Sequence, residues 1–163
     1  MLDLQVQLQL LREEVNKLHL RHEQAASVTP DYYEPGKMEY LEQSDGQWDE
    51  ETGRVQLWFE VQGTRYQGHS EMIELLSVGD PIIVERDKEN PYNPNNFRLL
   101  TKFSEEVGNM PKELCNAIAP LFDGRLLRFE NHATVSYVEH LSERSRHARK
   151  AVLFVKLDCT LSI

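Results

Sequence analysis

Asparagine and proline dominate the least ordinary stretch of this sequence, residues 86–97, which lies between two apolar segments. It reads Arg86-Asp87-Lys88-Glu89-Asn90-Pro91-Tyr92-Asn93-Pro94-Asn95-Asn96-Phe97. Each X-Pro pair restricts the preceding residue to extended geometry, and asparagine side chains cap turns, so the pattern predicts a stiff polar loop. Two roles are open for such a loop. It can be a rigid hairpin connection and nothing more, or it can present its tyrosine to a ligand for stacking.

A second group of residues that could bind a ligand is the basic segment 144–150. It holds four bases in Arg144-Ser145-Arg146-His147-Ala148-Arg149-Lys150. The whole chain of 163 residues nevertheless has a formal net charge of −9. This balance disfavours broad coating of nucleic acid, but it leaves room for a local basic site.

Residue patterns that support catalysis are weak in this sequence. We find no persuasive spacing of paired carboxylates, of a nucleophile with a base, or of a glycine-rich phosphate loop. His19 and His22 stand at i and i+3 of a predicted helix, where a metal would need further ligands, so surface positions are favoured. We therefore expect a protein that is not an enzyme and that needs no cofactor or metal.

Compartment and membrane association can also be judged from the sequence. No apolar run approaches the roughly 20 residues that span a bilayer, and the N-terminus lacks the pattern of a secretory signal. Cys115 and Cys159 are too few for a disulfide framework or a cysteine-built zinc site, which favours buried thiols in a reducing compartment. We expect a cytoplasmic protein, or a nuclear one in a eukaryote.

The distribution of charge and the positions of proline and glycine divide the chain into three predicted regions. Residues 1–28 form a helix, 29–53 an acidic connector, and 54–163 a globular domain. The connector is the most acidic part, because residues 31–60 hold two bases and nine acids. A solvated loop is the favoured interpretation of that acidic run, and a patch that mimics DNA is the minority alternative.

The helix carries a heptad seam of apolar positions. Its members are Leu4, Leu8, Leu11, Val15, Leu18 and His22. Further leucines off the seam widen the apolar stripe beyond that of a strict coiled coil. Two interpretations stay open, a helix that packs on its own domain and a helix through which the chain forms a homo-oligomer.

From residue 54 the hydrophobic period changes to two, which predicts strands. We predict strands at 54–61, 65–69, 81–86, 96–101, 126–129, 134–141 and 151–163, and one helix that opens at Pro111. In the last strand Val152 and Phe154 are expected to face inward together with Leu157, through a slip near Val155-Lys156. Many short strands and one helix suggest a small β-barrel or a curled sheet.

Several blocks of the globular part resemble the HIRAN family. The blocks are Gly63-Thr64-Arg65-Tyr66-Gln67-Gly68, Val84-Glu85-Arg86-Asp87, the Asn-Pro-Tyr-Asn-Pro-Asn stretch, Glu106 to Leu114, and Ala117 to Asp123. The resemblance implies a mainly β fold with short helices, an OB-like small β-barrel, here preceded by an N-terminal α-helix. It also implies capture of the free 3′ end of single-stranded DNA.

The resemblance further implies a set of site residues. Tyr66 and Tyr92 match family aromatics that contact the terminal nucleotides, and Asn90 matches the asparagine before the Pro-Tyr step. Asn93 stands where the family usually has an aspartate that accepts a hydrogen bond from the terminal hydroxyl. Asn96 replaces a small alanine, and Asn109 an aromatic residue or histidine. With nearby bases, the expected DNA-binding residues are Arg65, Tyr66, Arg86, Asn90, Tyr92, Asn93, Asn109 and Arg146.

Two functions of different kinds follow from these observations. The first is a non-catalytic module that binds single-stranded DNA, with 3′-end recognition suspected, in repair or replication-linked processes beside a helicase or nuclease partner. The second is a homo-oligomeric scaffold or adaptor that keeps the HIRAN fold without binding DNA ends.

Overall fold

The structure is a computed structural model that describes residues 3–27, 47–49, 51–66 and 68–162, with side chains to residue 17 in the first helix. Most of the predicted acidic connector therefore lies outside the described residues, as do the side chains of Leu18, His19 and His22. The division of the chain into a helix, a connector and a domain remains a prediction.

The described chain contains three α-helices, eight strands and one short 3₁₀ turn. In chain order they are α1 (Leu4–Ser27), β1 (Gln47–Asp49), β2 (Arg54–Glu60), α2 (His69–Ile73), β3 (Pro81–Asp87), β4 (Asn96–Thr101), β5 (Glu106–Asn109), α3 (Lys112–Asp123), β6 (Leu127–Phe129), β7 (Ala133–Glu139), the 3₁₀ turn Leu141–Glu143 and β8 (Val152–Leu161). The expectation of a mainly β domain with short helices, preceded by an N-terminal helix, is confirmed.

All eight strands belong to one sheet that curls into a half-barrel. The strand order is β1-β2-β8-β7-β3-β4-β5, with β6 pairing to β8, and each pairing is antiparallel. Past the end of β2, the backbones of Gln62 and Asn109 exchange two hydrogen bonds of 2.8 Å. This bridge brings the far strand β5 back to the chain that leaves β2.

Gly108 permits that close approach. Its φ is +152°, and a Cβ built there would stand 2.4 Å from the carbonyl oxygen of Gln62 and 2.5 Å from the side chain of Val61. Contacts so short are excluded for any residue with a side chain, so only glycine fits this position without a shift of the backbone. The identity of one residue thus decides whether β5 can approach the chain that follows β2.

The long strand β8 is buried on both faces where it begins. On one face lie the side chains of the main core, which are Leu153, Val155, Leu157, Cys159 and Leu161. On the other, Val152 and Phe154 join Trp58 and Tyr137 in a second apolar cluster. Regular alternation therefore runs through β8, and the predicted slip near Val155 is wrong. The irregularity lies on the partner strand β7, between Val135 and Tyr137.

The predicted strand at 65–69 is also wrong. A turn occupies this place, with the amide of Tyr66 donating to the carbonyl of Gly63 at 3.2 Å and the amide of His69 to that of Tyr66 at 3.0 Å. Helix α2 begins directly afterwards. The period of two over five residues was too short to outweigh the glycines at either end, which favour turns.

Helix α1 packs on the domain through its apolar seam. Leu11 and Val15 are buried in the main core, and Leu4 and Leu8 pack against it half-buried. The contacts are with α3, β1 and β2. The described part of the seam thus behaves as the first interpretation expects, and a homo-oligomer through α1 remains a prediction. No helix in the described segments is long and apolar enough to cross a membrane.

Candidate nucleic-acid interface

The polar loop between β3 and β4, residues 88–95, is organised by its own asparagines, and we call it the asparagine loop. The Oδ1 atom of Asn90 accepts hydrogen bonds from the amides of Tyr92 (2.9 Å) and Asn93 (3.0 Å). Its Nδ2 donates to Oδ2 of Asp87 at 3.1 Å. These bonds fold the turn without any contact from the tyrosine ring, so Tyr92 projects outward with 92 % of its surface exposed.

The network continues into the base of the loop. Asn96, which is buried, donates from Nδ2 to Oδ2 of Asp87 at 3.0 Å and to Oδ1 of Asn109 at 2.9 Å. Oδ1 of Asn93 accepts from the amide of Asn95 at 3.0 Å, while its Nδ2 is buried with no hydrogen-bond partner. One carboxylate and four asparagines therefore hold the loop against β5.

Arg86 supports the loop from the side opposite to solvent. Its guanidinium makes two 3.0 Å bonds to the carboxylate of Asp123 and donates to the carbonyls of Pro94 (2.7 Å) and Asn96 (3.1 Å). The same group lies 5.4 Å from the ring centroid of Phe97. Only 12 % of this side chain is exposed. The hydrogen bond from Arg86 lowers the pKa of Asp123, because it stabilises the carboxylate.

Residues 62–66 form a second ordered turn. The hydroxyl of Thr64 donates to the carbonyl of Ala151 at 2.8 Å, and Ser70 donates to the carbonyl of Thr64. Gly63 has φ +75°, and a Cβ there would stand 3.1 Å from the ring of Tyr66. That ring meets His69 edge-on, lies 5.7 Å from the guanidinium of Arg65, and is 57 % exposed.

Between these two turns lies an open cleft of about 1070 Å³. Its lining comes from four places, the turn at 62–66, the asparagine loop with the start of β4, the segment from β5 to the start of α3, and one residue before β8. These residues are Gln62, Gly63, Thr64, Arg65, Tyr66, Asn90, Tyr92, Asn93, Asn96, Glu106, Asn109, Met110, Pro111, Lys112, Glu113 and Lys150.

Six of the eight sequence-predicted DNA-binding residues line this cleft, which are Arg65, Tyr66, Asn90, Tyr92, Asn93 and Asn109. The other two do not. Arg86 is turned inward to hold the loop, and Arg146 lies exposed in the basic segment without reaching the cleft. From that segment Lys150 does line the cleft, and Arg144 donates to the carbonyl of Lys150 at 2.7 Å.

The charges of the cleft are mixed, with the bases in slight excess. Arg65, Lys112 and Lys150 line it together with Glu106 and Glu113. Oε2 of Glu106 lies 3.2 Å from Nε2 of His69. Against a strongly acidic chain, this is a local surface that an anion can approach.

Sequence reasoning missed Gln62, Thr64 and Lys112 as parts of the cleft. Thr64 lies within the same HIRAN-like block as Tyr66, Gln62 directly precedes that block, and Lys112 follows Asn109 within another block. Contiguity with the predicted residues was therefore the available clue. What the sequence could not show is that both blocks border the same space.

Neither cysteine is suited to nucleophilic chemistry. Both thiols are free and buried, as expected from the sequence. Burial raises the pKa of the Cys115 thiol to about 12 and that of Cys159 also upward, so thiolate is scarce at neutral pH. In the described part of the chain, no three histidine, cysteine, aspartate or glutamate side chains are grouped so that they could hold a metal.

The sequence profile of the HIRAN domain family matches residues 55–155. The chain therefore belongs to the HIRAN domain family. No curated protein sequence matches it.

Solved structures with a similar fold include a protein from Lactobacillus plantarum, with a TM-score of 0.51, 18% identity, and coverage of 68% of this chain and 100% of that one. The crystal structure of the HIRAN domain of human HLTF has a TM-score of 0.45 and 22% identity over 65% of this chain and 79% of that one. The NMR structure of the HLTF HIRAN domain in its DNA-bound conformation has a TM-score of 0.45 and 20% identity over 66% and 76%.

Proposed function

We propose that this protein is a non-catalytic module that binds single-stranded DNA in the cleft and receives the 3′ end of the strand there. The proposal is supported by membership of the HIRAN family and by the composition of the cleft. The HLTF HIRAN domain has been solved in a DNA-bound conformation, and we extend DNA binding to this chain as part of the proposal.

One observation carries the proposal, which is the presence of two exposed tyrosines on a cleft that also holds bases. Tyr66 and Tyr92 show most of their rings to solvent, although folding alone favours burying aromatic surface. Rings presented in this way can stack on unpaired bases of any sequence, while Arg65, Lys112 and Lys150 can neutralise the strand's phosphates. The open cleft admits a strand, and the preference for a terminus is carried over from the HIRAN family resemblance.

The test is a titration of the full chain against a fluorescent single-stranded oligonucleotide, read by anisotropy. Tyr92→Ala and Tyr66→Ala should each weaken binding by about 1–3 kcal/mol, because each removes a stacking surface. Phe103→Ala is the matched control, since Phe103 is 75 % exposed and does not line the cleft. Equal affinity of all three variants and the unaltered protein would contradict the proposal.

The preference for an end is tested separately. A linear strand should bind better than a circular strand of the same composition, and a bulky group on the 3′ end should weaken binding more than the same group on the 5′ end. Equal binding of linear and circular strands would leave a DNA-binding module without end recognition. A role in repair or replication-linked processes, with a helicase or nuclease partner supplying the chemistry, belongs to the same proposal.

A further inference from the structure

The carboxylate of Asp87 determines which hydrogen-bonding groups around the cleft donate and which accept. A carboxylate accepts only, so the side chains of Asn90 and Asn96 must turn their Nδ2 groups toward it, as observed at 3.1 and 3.0 Å. The Nδ2 of Asn96 also serves Asn109, which must therefore present its oxygen, as it does at 2.9 Å. The orientations of three amides thus follow from one acid.

The same reasoning orients Asn93. Its Oδ1 receives the amide of Asn95 at 3.0 Å, and a flipped side chain would bring two donors together. Its Nδ2 is therefore left over, and it is buried with no hydrogen-bond partner. An unpaired buried donor is unfavourable, and an acceptor that arrives from a ligand removes the penalty.

The side-chain amide of Asn109 likewise has its oxygen occupied and its NH₂ group left over. The oxygen of Asn109 is used by Asn96, and its Nδ2 lies 3.4 Å from where a Cβ on Gly63 would stand, close to the ring of Tyr66. Asn93 and Asn109 both line the cleft. Asn90 and Asn96 turn their NH₂ groups inward to Asp87, whereas Asn93 and Asn109 use their amide oxygens within the network and keep their NH₂ groups for a ligand.

We infer that the cleft is built to receive a strand whose 3′ end carries a phosphate, in preference to one that ends in a free hydroxyl. A terminal phosphate supplies several anionic acceptor oxygens, which suit the NH₂ groups of Asn93 and Asn109 and the ammonium of Lys112. A terminal hydroxyl lacks the negative charge that would strengthen each of these bonds. This inference rests on the proposed function and specifies the chemistry of the end.

The carboxylates that line the cleft repel an anionic ligand, so they reduce the preference for a 3′ phosphate over a 3′ hydroxyl. Glu106 has a hydrogen-bond partner in His69, whereas no ion pair joins Glu113 to any residue that the structure describes. Glu113 lies next to Lys112 at the start of α3. Glu113→Gln should therefore strengthen binding of the phosphorylated end more than that of the hydroxyl end.

The experiment measures the affinity of the full chain for one oligonucleotide prepared with a 3′ hydroxyl and with a 3′ phosphate, labelled at the 5′ end. The unaltered protein should bind the 3′ phosphate about tenfold more tightly, as expected for one charge-assisted hydrogen bond. Asn93→Asp replaces the free donor with a charged acceptor and should abolish or reverse the ratio. Asn95→Asp is the matched control, because it adds the same charge where the side chain faces Asn116 instead.

The possible outcomes separate the two proposals. Equal or weaker binding of the phosphorylated strand by the unaltered protein overturns the inference and leaves DNA binding intact. Binding of neither strand overturns the proposed function as well. Since Asn93→Asp can also destabilise the loop, Asn109→Asp provides a second variant, and thermal unfolding of each variant identifies any loss of fold. An unchanged end preference in both folded variants would also overturn the inference.

Discussion

Replacing Arg86 with lysine tests whether this residue supports the asparagine loop or contacts DNA. The guanidinium reaches Asp123 on one side and the carbonyls of Pro94 and Asn96 on the other. A lysine ammonium has no planar fork and cannot span these partners at once. The variant therefore keeps the positive charge of residue 86 but loses most of its hydrogen bonds.

The expected loss follows from those bonds. A hydrogen bond with one charged partner contributes about 1.5–3 kcal/mol, whereas a partly exposed ion pair such as Arg86–Asp123 contributes at most about 1 kcal/mol. If lysine keeps one of the two hydrogen bonds to carbonyls and loses the other together with the ion pair, the free energy of unfolding should fall by about 1.5–4 kcal/mol. Urea denaturation measures this fall, and DNA affinity should drop as well, because the loop that presents Tyr92 loosens.

The control is Arg128→Lys, at an exposed arginine whose contact with Glu130 is 3.5 Å long. Its free energy of unfolding should stay within about 0.5 kcal/mol of the unaltered value. The reasoning about Arg86 is refuted if Arg86→Lys is as stable as this control while DNA affinity still falls. That result would make Arg86 a direct DNA contact, in line with its prediction from the sequence as a DNA-binding base.

Three further predictions concern stability. Leu11→Ala should lower the free energy of unfolding by about 2–5 kcal/mol in urea denaturation, because α1 packs on its own domain, while Val6→Ala, at a position 45 % exposed, should change it little. Gly108→Ala should cost more than Gly79→Ala in thermal denaturation, since both have positive φ but only Gly108 has backbone within 2.4 Å, and equal costs would contradict the close approach. The lowered pKa of Asp123 stabilises the fold above its unfolded pKa of about 3.9, and this contribution disappears as the pH falls through the folded pKa. The stability difference between the unaltered protein and Asp123→Asn should therefore be present at pH 7 and vanish in acid, and a difference independent of pH would contradict the ion pair.

The sequence by itself determined the elements whose evidence is local. Alternation predicted β2, β3, β4, β7 and β8, and Pro111 with an apolar face behind it predicted α3. Paired X-Pro steps and asparagines predicted the stiff loop between β3 and β4. The apolar spacing of Leu4, Leu8, Leu11 and Val15 predicted the helix, but it could not say what the seam would contact.

Tertiary structure decided where those elements meet and which way their side chains turn. Arg86 appeared from its neighbours to be an approach base, and only the placement of Asp123 beside it shows that it faces inward. Trp58 alternates as an outward residue of β2, yet Tyr137 and Phe154 bury it in a second cluster. Local periodicity reports which side of a strand a residue occupies and nothing about what covers that side.

The same limit applies to the candidate site. The blocks holding Tyr66, Tyr92 and Asn109 could be found along the chain, but their common cleft depends on the bridge between Gln62 and Asn109. That bridge forms because Gly108 has no side chain and because the sheet curls far enough to return β5 to β2. Curvature is the sum of twist over many strands and packing against α3, so it is a property of the whole domain and of no single segment.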